Sequence, residues 1–131
     1  MSKEEFINNL MRDKARGNLA PHQIILLISL SNIYSIYKND STDIHTLNNE
    51  FQKVWKEHAN LFISKNNKVG LPLRAFVNRE YLQLNITEGI NDFRNISELE
   101  EKISNIKIDR LVLQLFKDID IKNYLISRIT Y

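Results

Sequence analysis

Apolar side chains are densest from Ile24 to Leu30 and continue through Ile33, Tyr34 and Ile36. Ile24, Leu27, Ile28 and Ser31 fall on one helical face, while Ile25, Leu26, Leu30 and Ile33 cover the others. The segment therefore reads as a helix that is apolar nearly all round. Such a helix has to be packed on several sides, so the chain should be organised around it. Pro21 marks its start, because the fixed φ of proline suits a first turn and its missing N–H would be unpaired there anyway. His22 and Gln23 then stand at the helix entrance, where free backbone N–H groups and the positive end of the helix dipole favour an anion.

The other elements follow from the same kind of patterning. Ser2 and Glu5 form a capping box ahead of the stripe Phe6, Ile7, Leu10 and Met11, giving a first helix that Gly17 should end. The polar run Lys38 to Asp43 reads as a loop. A helix headed by Asp43 or Thr46 then carries Leu47, Phe51, Val54, Trp55 and His58 and should end near Asn60. After a second polar loop, Ser64 to Gly70, two short runs around Leu73–Val77 and Tyr81–Ile86 flank Asn78-Arg79-Glu80. Leu82, Leu84 and Ile86 alternate with Gln83 and Asn85, so these runs predict a β-hairpin. Ser97 with Glu100 predicts a capped helix carrying Leu99, Ile103 and Ile106, Asp109 heads a helix with Leu111, Val112, Leu115 and Phe116, and Asp120 heads the last. The fold class expected is mainly α (α+β): a single domain over residues 1–131, helical around a buried central helix, with one β-hairpin.

Composition narrows the function. A chain of 131 residues with 43% hydrophobic content supports one core. With no cysteine there is no disulfide or thiolate metal site. The run Ile24–Leu30 is far short of a membrane span, and nothing resembles a signal peptide, so a soluble cytoplasmic protein with no membrane association is expected. The net charge of +2 is small but uneven: basic residues outnumber acidic ones up to Arg79, and the balance reverses from Glu80. Arg12, Lys14 and Arg16 cluster just ahead of the central helix.

An enzyme has little to stand on. Three glycines cannot make a Gly-rich phosphate loop, there is no cysteine nucleophile, and the three histidines fall on separate elements. The carboxylate pairs Glu4-Glu5 and Glu100-Glu101 serve helix starts. No catalytic residue, metal or cofactor is expected. His58 reads as a partly buried, hydrogen-bonded side chain, and His45 as a loop residue without a role. Two stretches suit binding: the entrance at His22 and Gln23 with Arg12, Lys14 and Arg16 close in sequence, and the region Leu71, Pro72, Ala75 and Phe76 with Arg74 and Arg79 among them. A basic rim around a small apolar patch can hold phosphates while the patch meets an apolar substituent.

Arg12-Asp13-Lys14, followed by Ala20-Pro21-His22 running into Ile24-Ile25-Leu26-Leu27, resembles the start of the sulfur-binding domain of HNH-type, modification-dependent restriction endonucleases, which recognise phosphorothioated DNA. Leu71-Pro72-Leu73-Arg74-Ala75 is similar to that family's Tyr-Pro-x-x-Ala segment. Ile108-Asp109-Arg110-Leu111 through Phe116-Lys117-Asp118 is similar to its closing helix. The resemblance implies a DNA-binding module for double-stranded, phosphorothioated DNA. It further implies a sulfur pocket around Pro72 and Ala75, with Leu71 beside them, and a DNA contact from His22; together with the basic rim and helix entrance read above, the expected DNA contacts are Arg12, Lys14, Arg16, His22, Gln23, Arg74 and Arg79. Gln23 stands where the family often has Arg or Lys, and Leu71 where it often has Tyr. The paired histidines of an HNH centre are missing, so the resemblance places cutting in a separate nuclease domain or partner protein. A helical protein-interaction domain and a general DNA-binding domain without sulfur preference are the alternatives.

Overall fold

The computed structural model describes residues 2–11, 21–62 and 64–129. Their architecture is mainly helical, with a small antiparallel sheet. At its centre is α2 (His22–Tyr37), in which every residue from Ile24 to Ser31, and Ile33, is buried. Helices α3 (Ile44–His58), α4 (Gly70–Asn78) and α7 (Ile121–Ile129) pack on it, as an all-round apolar helix requires. The buried Ser29 hydroxyl is satisfied by donating to the Ile25 carbonyl at 2.8 Å. Pro21 is the residue preceding the helix, already at a helical φ of −72°. At the other end Lys38 turns left-handed, φ 55°, and its N–H closes on the Tyr34 carbonyl.

Local signals account for most helix boundaries. In front of α1 (Lys3–Met11), Ser2 Oγ accepts from the Glu5 N–H at 3.1 Å, the expected cap. Asp43 caps α3 by accepting from the Thr46 N–H at 2.7 Å, so of the two candidates Asp43 is the cap. The helix gives way to a 3₁₀ turn, Ala59–Leu61, close to the expected end. Asp109 caps α6 (Arg110–Leu115) through the Leu111 N–H. Lys3 joins the chain's two ends, bonding Asp118 at 2.8 Å and lying 5.6 Å from the Tyr124 ring.

Three sequence expectations are corrected. The run Leu73–Val77 is no hairpin arm: it lies inside α4, whose buried residues Pro72, Leu73 and Phe76 follow helical spacing. Tyr81–Ile86 does contain a strand, β2 (Leu82–Ile86), but its partner is β3 (Ile103–Ile108). The helix expected to run to Ile106 ends earlier. It is α5 (Ile96–Lys102), capped by Asn95 rather than Ser97, and Ile103 begins β3. His45 is in the first turn of α3, where its Nε2 lies 3.2 Å from the Asn49 amide. The sheet order is β1-β3-β2, with β1 (Ser41–Thr42) on one side of β3 and both pairings antiparallel. Leu82 opposes Ile108 and Leu84 opposes Ile106, so these apolar residues share one face, while Gln83 and Lys107 share the other. Gly17 and the cluster Arg12, Lys14 and Arg16 lie outside the described residues.

Candidate nucleic-acid interface

Helix α4 divides cleanly. Pro72, Leu73 and Phe76 are buried, whereas Leu71, Arg74 and Asn78 are exposed and Ala75 is half-buried. The outward positions 71, 74, 75 and 78 follow the i, i+3, i+4, i+7 spacing of one helical face. That face therefore reads apolar, basic, apolar, amide. Leu71 retains 43% of its surface, the largest apolar exposure on the helix. Proline is tolerated at the third helical residue because a first-turn N–H has no intrahelical acceptor. Val69, the residue before the first turn of α4, gives its N–H groups no side-chain cap.

The surroundings brace this face. The Arg74 guanidinium lies 5.9 Å from the Phe93 ring, a cation–π distance. Phe93 itself sits in a turn held from both sides. Glu98 accepts the N–H groups of Asn91 and Asp92 at 2.7 and 2.9 Å, and Asp92 accepts the N–H of Arg94 at 2.9 Å. The Arg94 backbone, then its side chain, hold the Asp92 carboxyl below its ordinary pKa. The Glu98 carboxyl is likewise lowered, first by Lys102, whose ammonium bonds it at 2.6 Å. Gly70, at the start of α4, meets the turn directly: a Cβ there would lie 1.6 Å from the Phe93 carbonyl oxygen. Lys68 and Arg94 flank the same helix start, beside a cleft of about 200 Å³ that also takes in Asn48, Gln52 and Asn67.

The loop leading into α4 is tied to α2 and α3. Gln52 donates to the Asn67 carbonyl and Asn67 donates to the Gln52 amide oxygen, both at 2.8 Å. The His22 Nε2 lies 2.6 Å from the Asn66 carbonyl oxygen, so it is protonated and donates, and the ring packs 5.0 Å from Trp55. Burial lowers the His22 pKa below 6.5, with the Asn66 carbonyl opposing more weakly. His22 is thus brought beside the loop that delivers α4, with one ring nitrogen committed inward. Gln23 is half-buried, and its amide oxygen has no hydrogen-bond partner among the described residues.

Leu71, Arg74 and Ala75 are brought together on one face. Pro72 is on the opposite side of α4, against the core, so the accessible apolar surface here belongs to Leu71 and Ala75 and the proline ring forms no open cup. Arg79 stands at the far end of the helix, half-buried, its N–H bonded to the Ala75 and Val77 carbonyls. Phe93, Lys68 and Arg94 were not singled out from sequence; a lone aromatic between Asp92 and Arg94 in a polar stretch was the available signal. His58 is half-buried with Nδ1 2.9 Å from the Val54 carbonyl, a structural arrangement. Among the described residues no group of His, Asp or Glu is placed to hold a metal ion, and no helix is long and apolar enough to cross a membrane. No protein-family model, curated protein or solved structure matches the chain.

Proposed function

We propose that this chain is a module that binds double-stranded DNA through the outer face of α4, with a preference for phosphorothioated DNA. The observation that carries the reading is the stripe Leu71, Arg74, Ala75, Asn78, projecting from a helix whose other side is fixed in the core. Arginine and asparagine are the side chains best suited to guanine and adenine edges in the major groove. Lys68 and Arg94, which flank the buried start of α4, supply cations that suit a backbone phosphate. Leu71 and Ala75 supply apolar atoms between these polar contacts. A sulfur in place of a non-bridging phosphate oxygen is larger, softer and poorly hydrated, so apolar atoms favour it over an oxygen whose desolvation is costly. On this reading any cleavage falls to another domain or a partner protein.

The test is fluorescence anisotropy on one duplex with and without a phosphorothioate of defined stereochemistry, across a salt series. Binding should weaken steeply with salt, and Arg74→Ala should reduce the slope of log affinity against log salt by about one unit if it neutralises a phosphate. Ala75→Glu sets a carboxylate against the backbone and should cost modified DNA more affinity than unmodified DNA. Equal affinity for the two duplexes removes the sulfur preference and leaves general DNA binding; no binding to either removes the DNA reading.

A further inference from the structure

Strand β2 is an edge of the sheet, because β3 lies on one side of it and no strand on the other among the described residues. The Asp109 N–H donates to the Tyr81 carbonyl at 3.0 Å, so Tyr81 turns its backbone toward β3. By the alternation of an antiparallel ladder, Gln83 does the same, while Leu82 and Leu84 turn their N–H and C=O groups outward. No described residue bonds these outward groups. The sequence Leu-Gln-Leu-Asn-Ile contains none of the lysine or proline that commonly guards an edge, and the bulge at Asn85/Ile86 only limits the ladder's far end.

A groove of about 910 Å³ takes in Leu82, Gln83, Leu84 and Ile86 of this edge strand and reaches past Lys107 and Ile108 of β3 to Asp40, with Val77, Ile90, Phe93 and Leu113 around it. Ile86 on the same strand keeps 43% of its surface exposed. At the Leu82 end the groove is bordered by the carboxylates of Asp40, Glu80 and Asp109, which outnumber the cations of Lys107 and Arg110. That border carries a small acidic excess, which favours a basic group over the polyanion proposed for α4. Val77 is the only α4 residue in the lining, and it lies off the outward stripe of that helix.

We infer that the β2 edge and its groove dock an extended segment of a partner protein, which adds to the sheet as an antiparallel fourth strand. The unpaired Leu82 and Leu84 backbone selects an extended polypeptide, because only a second strand presents donors and acceptors at that repeat. The groove selects apolar residues at alternate positions. The antiparallel sense puts the segment's C-terminal end beside Glu80, Asp40 and Asp109, which selects a basic residue there.

The probe is a fluorescein-labelled peptide of about eight residues, the length of an ordinary strand, alternating valine and threonine and ending in lysine. Its control is the same peptide with alternate backbone amides N-methylated, which keeps the side chains and removes the edge hydrogen bonds. Polarisation should show binding of the first, and N-methylation should weaken it at least about tenfold, the combined effect of two or more lost hydrogen bonds. Ile86→Lys, at an exposed position, should also weaken the peptide severalfold while leaving the affinity for DNA unchanged. Equal binding of the two peptides, or binding of neither, overturns the proposal. So does a concentration-dependent dimer in sedimentation velocity that Ile86→Lys abolishes, since the edge would then be occupied by a second copy of the chain.

Discussion

Replacing Gly70 by alanine sets two effects of opposite sign against each other, and the structure decides between them. Gly70 is the first residue of α4, and on helix propensity alone alanine should stabilise by up to about 1 kcal/mol. The new methyl carbon, however, would stand 1.6 Å from the Phe93 carbonyl oxygen and 2.6 Å from its carbon. Ordinary contacts begin near 3.5 Å, so α4 and the Phe93 turn must separate by well over an ångström. A flexible side chain could swing aside; this obstacle is backbone, pinned through Asn91, Asp92 and Arg94 to the carboxylates of Glu98 and Asp92. Overpacking of this kind costs about 1–3 kcal/mol, and backbone obstruction places it at the upper end.

The net expectation is a loss of about 2 kcal/mol, or roughly 6 °C in Tm for a chain of this size. Urea unfolding followed by circular dichroism measures it. Gly89→Ala is the control, because a Cβ at Gly89 meets nothing within 4 Å, and it should leave stability within about 0.5–1 kcal/mol of the starting protein. Because Arg74 rests on Phe93, the Gly70 variant should also weaken DNA binding under conditions where it remains folded. A Gly70→Ala protein as stable as the parent, or more stable, would refute the packing of α4 against the turn.

Three further outcomes are expected. Folding holds His22 neutral, its pKa lowered by burial, so the unfolded chain binds a proton that the folded one refuses as pH falls through 6.5. The His22 contribution to stability should be fully present above that pH and decline below it, and His22→Gln should remove this part of the decline in urea titrations between about pH 7.5 and 5. Glu98→Gln removes the charge that anchors Lys102 and the N–H groups of Asn91 and Asp92; amide exchange at those two residues should accelerate, and unchanged protection would show that the turn is held by something else. Arg74→Ala should leave the unfolding midpoint nearly unmoved, because Arg74 is exposed, yet lower the affinity for both modified and unmodified DNA.

The central helix and the caps Ser2, Asp43 and Asp109 were legible because each rests on short-range physics: an apolar run too dense for a surface helix, or an oxygen placed two or three residues before an orphan N–H. The misread segments share a different cause. Ile103 and Ile106 are three residues apart, the spacing of a helical face, and that spacing suggested a helix. In the structure Ile86 opposes Ile103 while Asn85 opposes Asn105, so Ser104 is an extra residue in the ladder. A bulge shifts the phase of a strand, and the two inward isoleucines then stand three apart instead of two. Nothing local announces the bulge; it exists only once β2 is alongside.

Helix α4 was hidden by its punctuation. Gly70 reads as the end of a polar loop, and a proline two residues on argues against a helix there, yet Val69, Pro72, Leu73 and Phe76 already stand at i, i+3, i+4 and i+7, and all four are buried. Proline at the third position obstructs no hydrogen bond, and the glycine is required by a backbone some twenty residues downstream rather than by a turn of its own. The same misreading reversed the expected role of Pro72. On a hairpin its ring faces solvent as part of an apolar cup, whereas on α4 it is a core residue and Leu71 and Ala75 carry the exposed apolar surface. The candidate site was therefore legible as a segment and not as a face, because which side of Leu71–Asn78 meets solvent depends on a secondary structure fixed by contacts with Phe93 and α2. The exposed apolar surface of this segment is thus carried by Leu71 and Ala75, four residues apart on one helical face with Arg74 between them, an arrangement that only the helix creates.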